Sequence, residues 1–397
     1  MITKRSFSAF ILAAASVAGL GGAQAQGLLS IGADNDFEAN LPFTVTLATA
    51  VGYDSNSNQA PDGFDEADTG FWQGGVVVAY ASGSPVTKVK VGGQYSGFYY
   101  FDTQPNQDDW FHNFRATLNV THSASRRLQL GFNGWVAYEF QPDFAIGQTS
   151  SRVRDQYTFG YANFSAAYMI SPAITSVTNY TFNGVYYDED NADDRVSHLI
   201  SQQFKYLVSR LTALTAEYRF GITEYDSGRN DYKSHYALIG ANHAFSRQLT
   251  ASIAGGAEFT EFDSGGDTTN PYFEGALNYR LAEETTLRWY NRYGYDATNA
   301  GTHQKRLSYR TGLTATQKFG PYLSGNAGVH YIHQTFENGF AASDRDDDVV
   351  YLTVGLDYQI LDNVVLNSSY SYTNLSSDAE LLEYDRSRVS LGVSATF

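Results

Sequence analysis

From residue 42 to the end of the chain, short connections alternate with longer acidic ones, and this alternation most constrains the fold. The short connections recur roughly every 40 residues, about the length of one hairpin of two strands with its loop. They lie at residues 83–85, 123–125, 171–173, 209–210, 246–247, 282–284, 320–321 and 361–363. The longer ones lie at 54–69, 102–109, 141–152, 188–194, 226–231, 263–270, 296–303, 338–347 and 377–385. Together they separate about 18 strands and place both ends of the sheet on the short-turn side.

The segments between these connections alternate between apolar and polar residues. In the last one, Val389, Leu391 and Val393 alternate with Arg388, Ser390 and other small or polar residues. Residues 349–360 show the same period. A period of two places the two sets on opposite faces of a sheet.

Several features favour a membrane barrel over a soluble sandwich. The predicted strands exceed the ~5–6 residues usual in soluble sheets. No segment after the N-terminus approaches 18 apolar residues, so any membrane crossing must use strands. An aromatic residue followed by Asp recurs where strands run into the long loops. This pattern is typical of an aromatic girdle, a ring of aromatic residues at the lipid boundary with a hydrated, charged rim above it. The steps lie at residues 53–54, 101–102, 187–188, 225–226, 262–263 and 295–296. We therefore predict an all-β fold, a transmembrane antiparallel up-and-down β-barrel of about 18 strands.

The N-terminus has the pattern of an export signal. Lys4 and Arg5 precede an apolar run from 7 to 20, and Ala23-Gln24-Ala25 is a small-x-small cleavage site. We expect a signal peptide at 1–25, a short periplasmic segment at 26–41 and the barrel at 42–397. Phe397 closes an alternating apolar segment and resembles the C-terminal assembly signal of outer-membrane barrels. Location in a bacterial outer membrane and contact with the barrel-assembly machinery follow as expectations.

Alternation also predicts which charged residues line the interior. The expected basic stretch consists of Arg288, Arg292, Arg306, Arg310, Lys318, Arg386 and Arg388, with further cations at Lys88, Lys90, Arg115, Lys205 and Arg219. The expected inward acids are Glu139, Glu217, Glu258, Glu274 and Asp357. In a narrow lumen such charges bias which solutes pass. The alternative is that these arginines pair with the acids across strands and fill the lumen.

The sequence contains no strong motif for catalysis or metal binding. His330 and His333 are three apart, so on a strand they face opposite sides and cannot share a metal. Asp344, Asp346 and Asp348 have the spacing of a calcium loop but lack its glycine and distal Glu. The acidic run at 188–194 is similar in kind. Nothing in the spacing selects a Ser–His pair, and a formal charge of −16 disfavours nucleic acid. We expect no enzyme activity, no cofactor, no metal site and no nucleic-acid partner.

The first hairpin carries a short motif, Gly52-Tyr53-Asp54-Ser55-Asn56, followed by an aromatic and valine-rich second strand. It resembles the family called putative β-barrel porin 2, whose members carry Gly-Tyr-Asp-x-Asn at the end of the first strand. The resemblance covers about 60 residues and implies an outer-membrane barrel without assigning any functional residue. Some similar barrels accompany exopolysaccharide secretion machinery.

The leading prediction is a porin-like channel for passive passage of small hydrophilic solutes. The first alternative is a barrel for exopolysaccharide export, in which Phe98, Tyr100, Trp135 and Tyr290 would stack on sugars. The second is a structural or adhesive barrel with acidic surface loops. The expected partners are outer-membrane lipid and lipopolysaccharide, the assembly machinery, and small solutes or polysaccharide, for a monomer or a trimer.

Overall fold

The computed structural model describes residues 42–102, 108–140, 156–188, 193–228, 231–263, 265–281, 284–296, 303–339, 344–379 and 382–397. The predicted signal peptide (1–25) and N-terminal segment (26–41) lie outside the described residues. The strands are β1 Phe43–Asp54, β2 Thr69–Gly83, β3 Thr87–Tyr100, β4 Trp110–Ser123, β5 Leu128–Glu139, β6 Tyr157–Ser171, β7 Ile174–Tyr187, β8 Arg195–Leu207, β9 Thr212–Tyr225, β10 Tyr232–Ala244, β11 Leu249–Phe262, β12 Thr268–Arg280, β13 Thr285–Asp296, β14 His303–Lys318, β15 Leu323–Gly339, β16 Arg345–Leu361, β17 Val364–Ser377 and β18 Tyr384–Thr396. Their connections agree with the predicted short turns and long loops.

All 18 strands form one antiparallel sheet in which each strand pairs with its neighbours in sequence. The sheet closes because β1 pairs with β18, from Thr46 opposite Thr396 to Asp54 opposite Arg388. Closure gives every strand two partners and leaves no sheet edge unpaired, which a strand in lipid requires. The predicted up-and-down barrel is confirmed.

The two faces of the wall differ as the alternation predicts. On β18, Val389 and Leu391 point outward and are half exposed, whereas Arg386 and Thr396 point inward and are buried. The exposed outer band is rich in large apolar residues, and most of the buried strand residues face the interior. Within the described residues, no helix has the length and apolarity needed to cross a membrane.

A repeated tyrosine contact marks the outer face near the long loops. Each tyrosine hydroxyl bonds to a side chain two residues before its direct cross-strand partner, on the next descending strand. The contacts are Tyr95–His112 (2.8 Å), Tyr180–His198 (2.8 Å), Tyr218–His235 (2.7 Å) and Tyr331–Asp348 (2.6 Å). Amphipathic rings at this level are typical of the border between lipid and water.

The predicted aromatic girdle is confirmed at two of the aromatic–Asp steps and wrong at others. Tyr53 and Phe101 are outward and exposed. Tyr225, Phe262 and Tyr295 are buried instead, and Tyr187 lies on the inward face opposite Tyr157. Tyr225 and Phe262 occupy inward-facing positions of β9 and β11, whereas Tyr53 and Phe101 occupy outward-facing positions. The rings of Tyr225 and Phe262 therefore point into the barrel.

Candidate solute pathway

The inward faces of the strands form a continuous surface inside the barrel, and the strand pairings place all the predicted pore-lining charges on it. Arg292 lies directly opposite Glu274 on one side and Arg310 on the other. Arg388 lies opposite Asp54 across the closing seam. Each of these residues therefore lies on the inward face of the wall, and most of the charges are paired.

A cluster at the seam joins the first and last strands near the long-loop end. We call Asp54, Tyr100, Arg386 and Arg388 the seam cluster. Arg386 donates from Nε (2.8 Å) and Nη2 (2.5 Å) to the two carboxylate oxygens of Asp54. Arg388 Nε lies 3.3 Å from the same carboxylate, and the Tyr100 hydroxyl donates to it at 3.1 Å. Asp54 has no exposed surface, so two cations and a hydroxyl stabilise a fully buried charge.

A second cluster spans β9 to β14 at mid-height and above. We call Glu217, Arg219, Tyr272, Glu274, Arg292, Asp296 and Arg310 the central network. Arg219 bonds to Glu217 at 2.7 Å and to Glu274 at 2.6 Å. Arg292 bonds to Asp296 at 2.5 Å, and Arg310 shares that carboxylate.

The hydroxyl of Tyr272 connects the two halves of the central network. It donates to Glu274 at 2.6 Å, accepts from Arg219 at 3.2 Å and accepts from Arg292 Nε at 3.4 Å. Each guanidinium of the network therefore has a carboxylate partner, which lowers its ability to hold a passing anion.

A third pair occupies the wall at β4 and β5. Arg115 Nη2 lies 2.7 Å from Glu139, and its guanidinium stacks 4.6 Å from the ring centroid of Trp135. Phe159 stacks on Trp135 as well, at 4.8 Å. These contacts hold the indole of Trp135 in place.

Sequence reasoning missed two carboxylates that organise these clusters, Asp54 and Asp296. We expected both at the wet rim after an aromatic residue, but both point inward. The signal was available in the strand period, because inward residues of β1 include 44, 48 and 50, and residue 54 continues that series.

Aromatic rings cluster on the inner side of the wall near the long loops. Phe71, Phe98, Tyr100, Phe111 and Phe140 form one buried cluster. Phe98 and Tyr100 are almost fully buried within it, so the expectation that their faces are free to stack on sugars is wrong. Tyr290 faces inward and bonds to His330 at 3.0 Å, and Trp135 is half-buried.

Toward the short-turn end, the charged side chains on the inner wall are mainly positive. Six cations face inward there, and we call them the lower cations: Lys88, Lys90, Lys205, Arg280, Arg288 and Lys318. Four of them, Lys88, Lys90, Arg280 and Lys318, are exposed within the lumen. Within the described residues none of the six forms an ion pair.

Where the structure describes them, the candidate metal ligands named from the sequence do not converge on one point. His330 is buried in the interior and His333 is half-exposed on the outer face, as their spacing predicts. Asp348 accepts from Tyr331 and His333 instead of turning toward Asp344. Residues 189–192 of the acidic run lie outside the described residues. Asp62, Glu66 and Asp385 lie close together but are exposed, and exposed acidic groups are common without an ion.

A closed barrel of 18 strands with an apolar outer band and a polar, charged interior is the architecture of outer-membrane channels. The chain is therefore an outer-membrane β-barrel of the porin type, located in the bacterial outer membrane.

The family model described as putative beta-barrel porin 2 matches residues 236–397, from within β10 to the C-terminus. The predicted resemblance to this family is thus confirmed, on the second half of the barrel and not on the first hairpin where the motif lies.

Two solved structures are similar in fold. OccAB4 of Acinetobacter baumannii is 12% identical, covers 89% of this chain and 98% of its own, with a TM-score of 0.46. OpdK of Pseudomonas aeruginosa, solved with vanillate, is 12% identical, with coverages of 89% and 99% and a TM-score of 0.47. The comparison with curated proteins gives no match.

Proposed function

We propose that the barrel is a passive channel for small hydrophilic solutes. The observation that carries this proposal is Asn133, an inward side chain at mid-height of β5 that is exposed inside the barrel. A filled lumen would bury a residue in this position. Polar neighbours surround it, including Asn163 on β6, so the wall there offers hydrogen bonds to water and solutes.

We infer that the pathway is narrower toward the outside than toward the short turns. The seam cluster, the central network and the aromatic cluster around Phe98 all lie in the upper part of the barrel, where many inward side chains are buried. A narrow segment with compensated charges above a wider polar segment limits solute size while keeping the path wet. This arrangement supports passage of small solutes and does not favour a polymer.

No hydrolytic activity is expected of the barrel. In the described part of the chain, the side chains that bond to the histidines are Tyr, Thr and Asp, and His333 with Asp348 lies on the outer face. Thr87–His122 and Thr212–His243 place a hydroxyl beside a possible base, but among the described residues no carboxylate bonds to either histidine to orient it. These contacts are consistent with the wall of a channel that requires no cofactor.

The proposal also includes the export of the chain, its assembly and its contacts in the membrane. Residues 1–25 would be removed on export, and residues 26–41 would remain in the periplasm. The last strand, ending at the outward and exposed Phe397, would be recognised by the assembly machinery. The outer face would contact lipid and lipopolysaccharide. The barrel would be a monomer or a trimer.

Planar-bilayer recording of the purified, refolded chain tests the channel. We expect discrete conductance steps, and we expect Asn133→Trp to reduce their size because the indole would occupy the lumen. Val136→Trp, on the outward face of the same strand, is the matched control and should leave the steps unchanged. Absence of steps in correctly folded protein would refute the proposal.

A further inference from the structure

Charge is segregated along the axis of this barrel. The outer loops carry most of the acidic residues, as in the first loop with Asp62, Asp65, Glu66 and Asp68. The lower cations occupy the opposite end, near the short turns. The short turns themselves add little net charge, because Arg126, Arg127, Arg210 and Arg247 are largely offset by Glu283, Glu284 and Asp362.

The lower cations are not compensated in the way that the upper arginines are. The inward carboxylates nearest that level among the described residues are Glu217, which lies beside Lys205 but is bonded to Arg219 and Gln203, and Asp357. Asp357 is 4% exposed and accepts a 2.7 Å bond from Asn367, so it is held within the wall on β16. Lys88 and Lys90 lie on β3, separated from it by β17, β18, β1 and β2. The inner vestibule therefore has a net positive wall, whereas the seam cluster and central network combine cations with carboxylates.

We propose that the lower cations make this channel a bipolar pore, with an anion-attracting inner vestibule and a cation-attracting outer mouth, so that it conducts ions asymmetrically. The inference rests on the proposed channel function. The two zones act separately only if they lie farther apart than the screening length. Strands of 12–17 residues correspond to a barrel roughly 30–40 Å tall, given ~3.3 Å per residue and a tilt of about 40°. The Debye length at 0.1 M salt is about 10 Å, which is shorter.

The direction of the asymmetry follows from the positions of the charges. When the loop side is positive, cations enter through the acidic mouth while anions enter through the basic vestibule. Both then accumulate inside, and the current is high. Reversing the voltage draws each ion out through the zone that attracts it, which depletes the lumen and lowers the current. At 1 M salt the Debye length falls to about 3 Å, and the asymmetry should vanish.

The test is current–voltage recording of single channels in planar bilayers at 0.1 M and 1 M KCl. The chain contains no cysteine, so Ala124→Cys in an exposed turn, labelled with an impermeant thiol reagent from one chamber, reports the orientation. We expect larger currents at 0.1 M when the loop side is positive. Replacing all six lower cations by Gln should bring the ratio of the two currents to about one and shift the reversal potential toward cation permeability.

A matched pair separates lumen charge from total charge. Lys88→Gln/Lys90→Gln and Arg126→Gln/Arg127→Gln each remove two positive charges on neighbouring hairpins at the same end of the barrel. The first pair should lower the asymmetry clearly more than the second, because it faces the lumen. Symmetrical currents at 0.1 M, asymmetry that persists at 1 M, or equal effects of the two pairs would overturn this inference alone. Absence of any conductance would overturn the proposed function with it.

Discussion

Replacing Asp54 by Asn should weaken the closing seam of the barrel. The substitution keeps the shape of the side chain but removes the charge that Arg386 and Arg388 share. The Asn amide would also direct N–H groups toward one of these guanidinium groups, where no acceptor lone pair would remain. Two arginines would then stay inside the barrel with their carboxylate partner gone.

The magnitude follows from burial. Asp54 has no exposed surface and Arg386 is 7% exposed, so the pair is held away from bulk water. Removing one partner of a buried ion pair typically costs about 3–5 kcal/mol, since an uncompensated charge remains. Arg388 retains stacking contacts 5.0 Å from the rings of Phe71 and Phe98, which favours the lower part of that range. We therefore expect the free energy of unfolding to fall by about 3 kcal/mol.

Urea unfolding of the refolded barrel in lipid vesicles, followed by tryptophan fluorescence, measures this change. The double variant Asp54→Asn/Arg386→Gln should recover part of the loss, because it removes an unpaired cation. Asp68→Asn is the matched control, since Asp68 is an exposed acceptor for Tyr53 at the same end of the barrel. An unchanged free energy of unfolding in Asp54→Asn, or an equal loss in Asp68→Asn, would refute the reasoning.

The remaining predictions concern packing and assembly. A Cβ at Gly256 would lie 1.9 Å from the carbonyl oxygen of Ala237, so Gly256→Ala should lower the free energy of unfolding by about 1–3 kcal/mol in the same assay. Gly93→Ala, which meets open space, should not lower it. Phe397→Ala keeps the backbone bonds of residue 397 to Val45, so refolding in vitro should be unaffected while the amount assembled in the outer membrane of cells falls. Equal amounts of assembled variant and parent protein in membrane fractions would contradict the role of Phe397.

The motif at the end of the first strand could be recognised in the sequence, but its role became clear only in the structure. Sequence reasoning singled out Gly52-Tyr53-Asp54-Ser55-Asn56 without assigning it a role. In the structure, Asp54 bonds to β18, and the amide of Asn56 donates to the carbonyl oxygens of Ala60 and Asp385. The motif therefore fastens the first strand and its loop to the last strand.

The strand count, the turns, the two faces and the inward position of the charged residues could all be predicted from the sequence. They depend on local properties: a side-chain period of two, the residues that favour turns, and the length needed to cross a membrane. Each can be recognised within one hairpin, so no knowledge of distant residues is needed.

Which charges neutralise each other was decided by the tertiary structure alone. Arg386 and Asp54 are 332 positions apart, and they meet because the sheet closes. Arg219 reaches Glu274 from three strands away because both side chains project into the same interior. Alternation gives the face on which a charge lies, but register and curvature determine its partner. The arginines we grouped as one basic stretch are therefore divided into a paired upper set and, with the lysines near the short turns, an unpaired lower set.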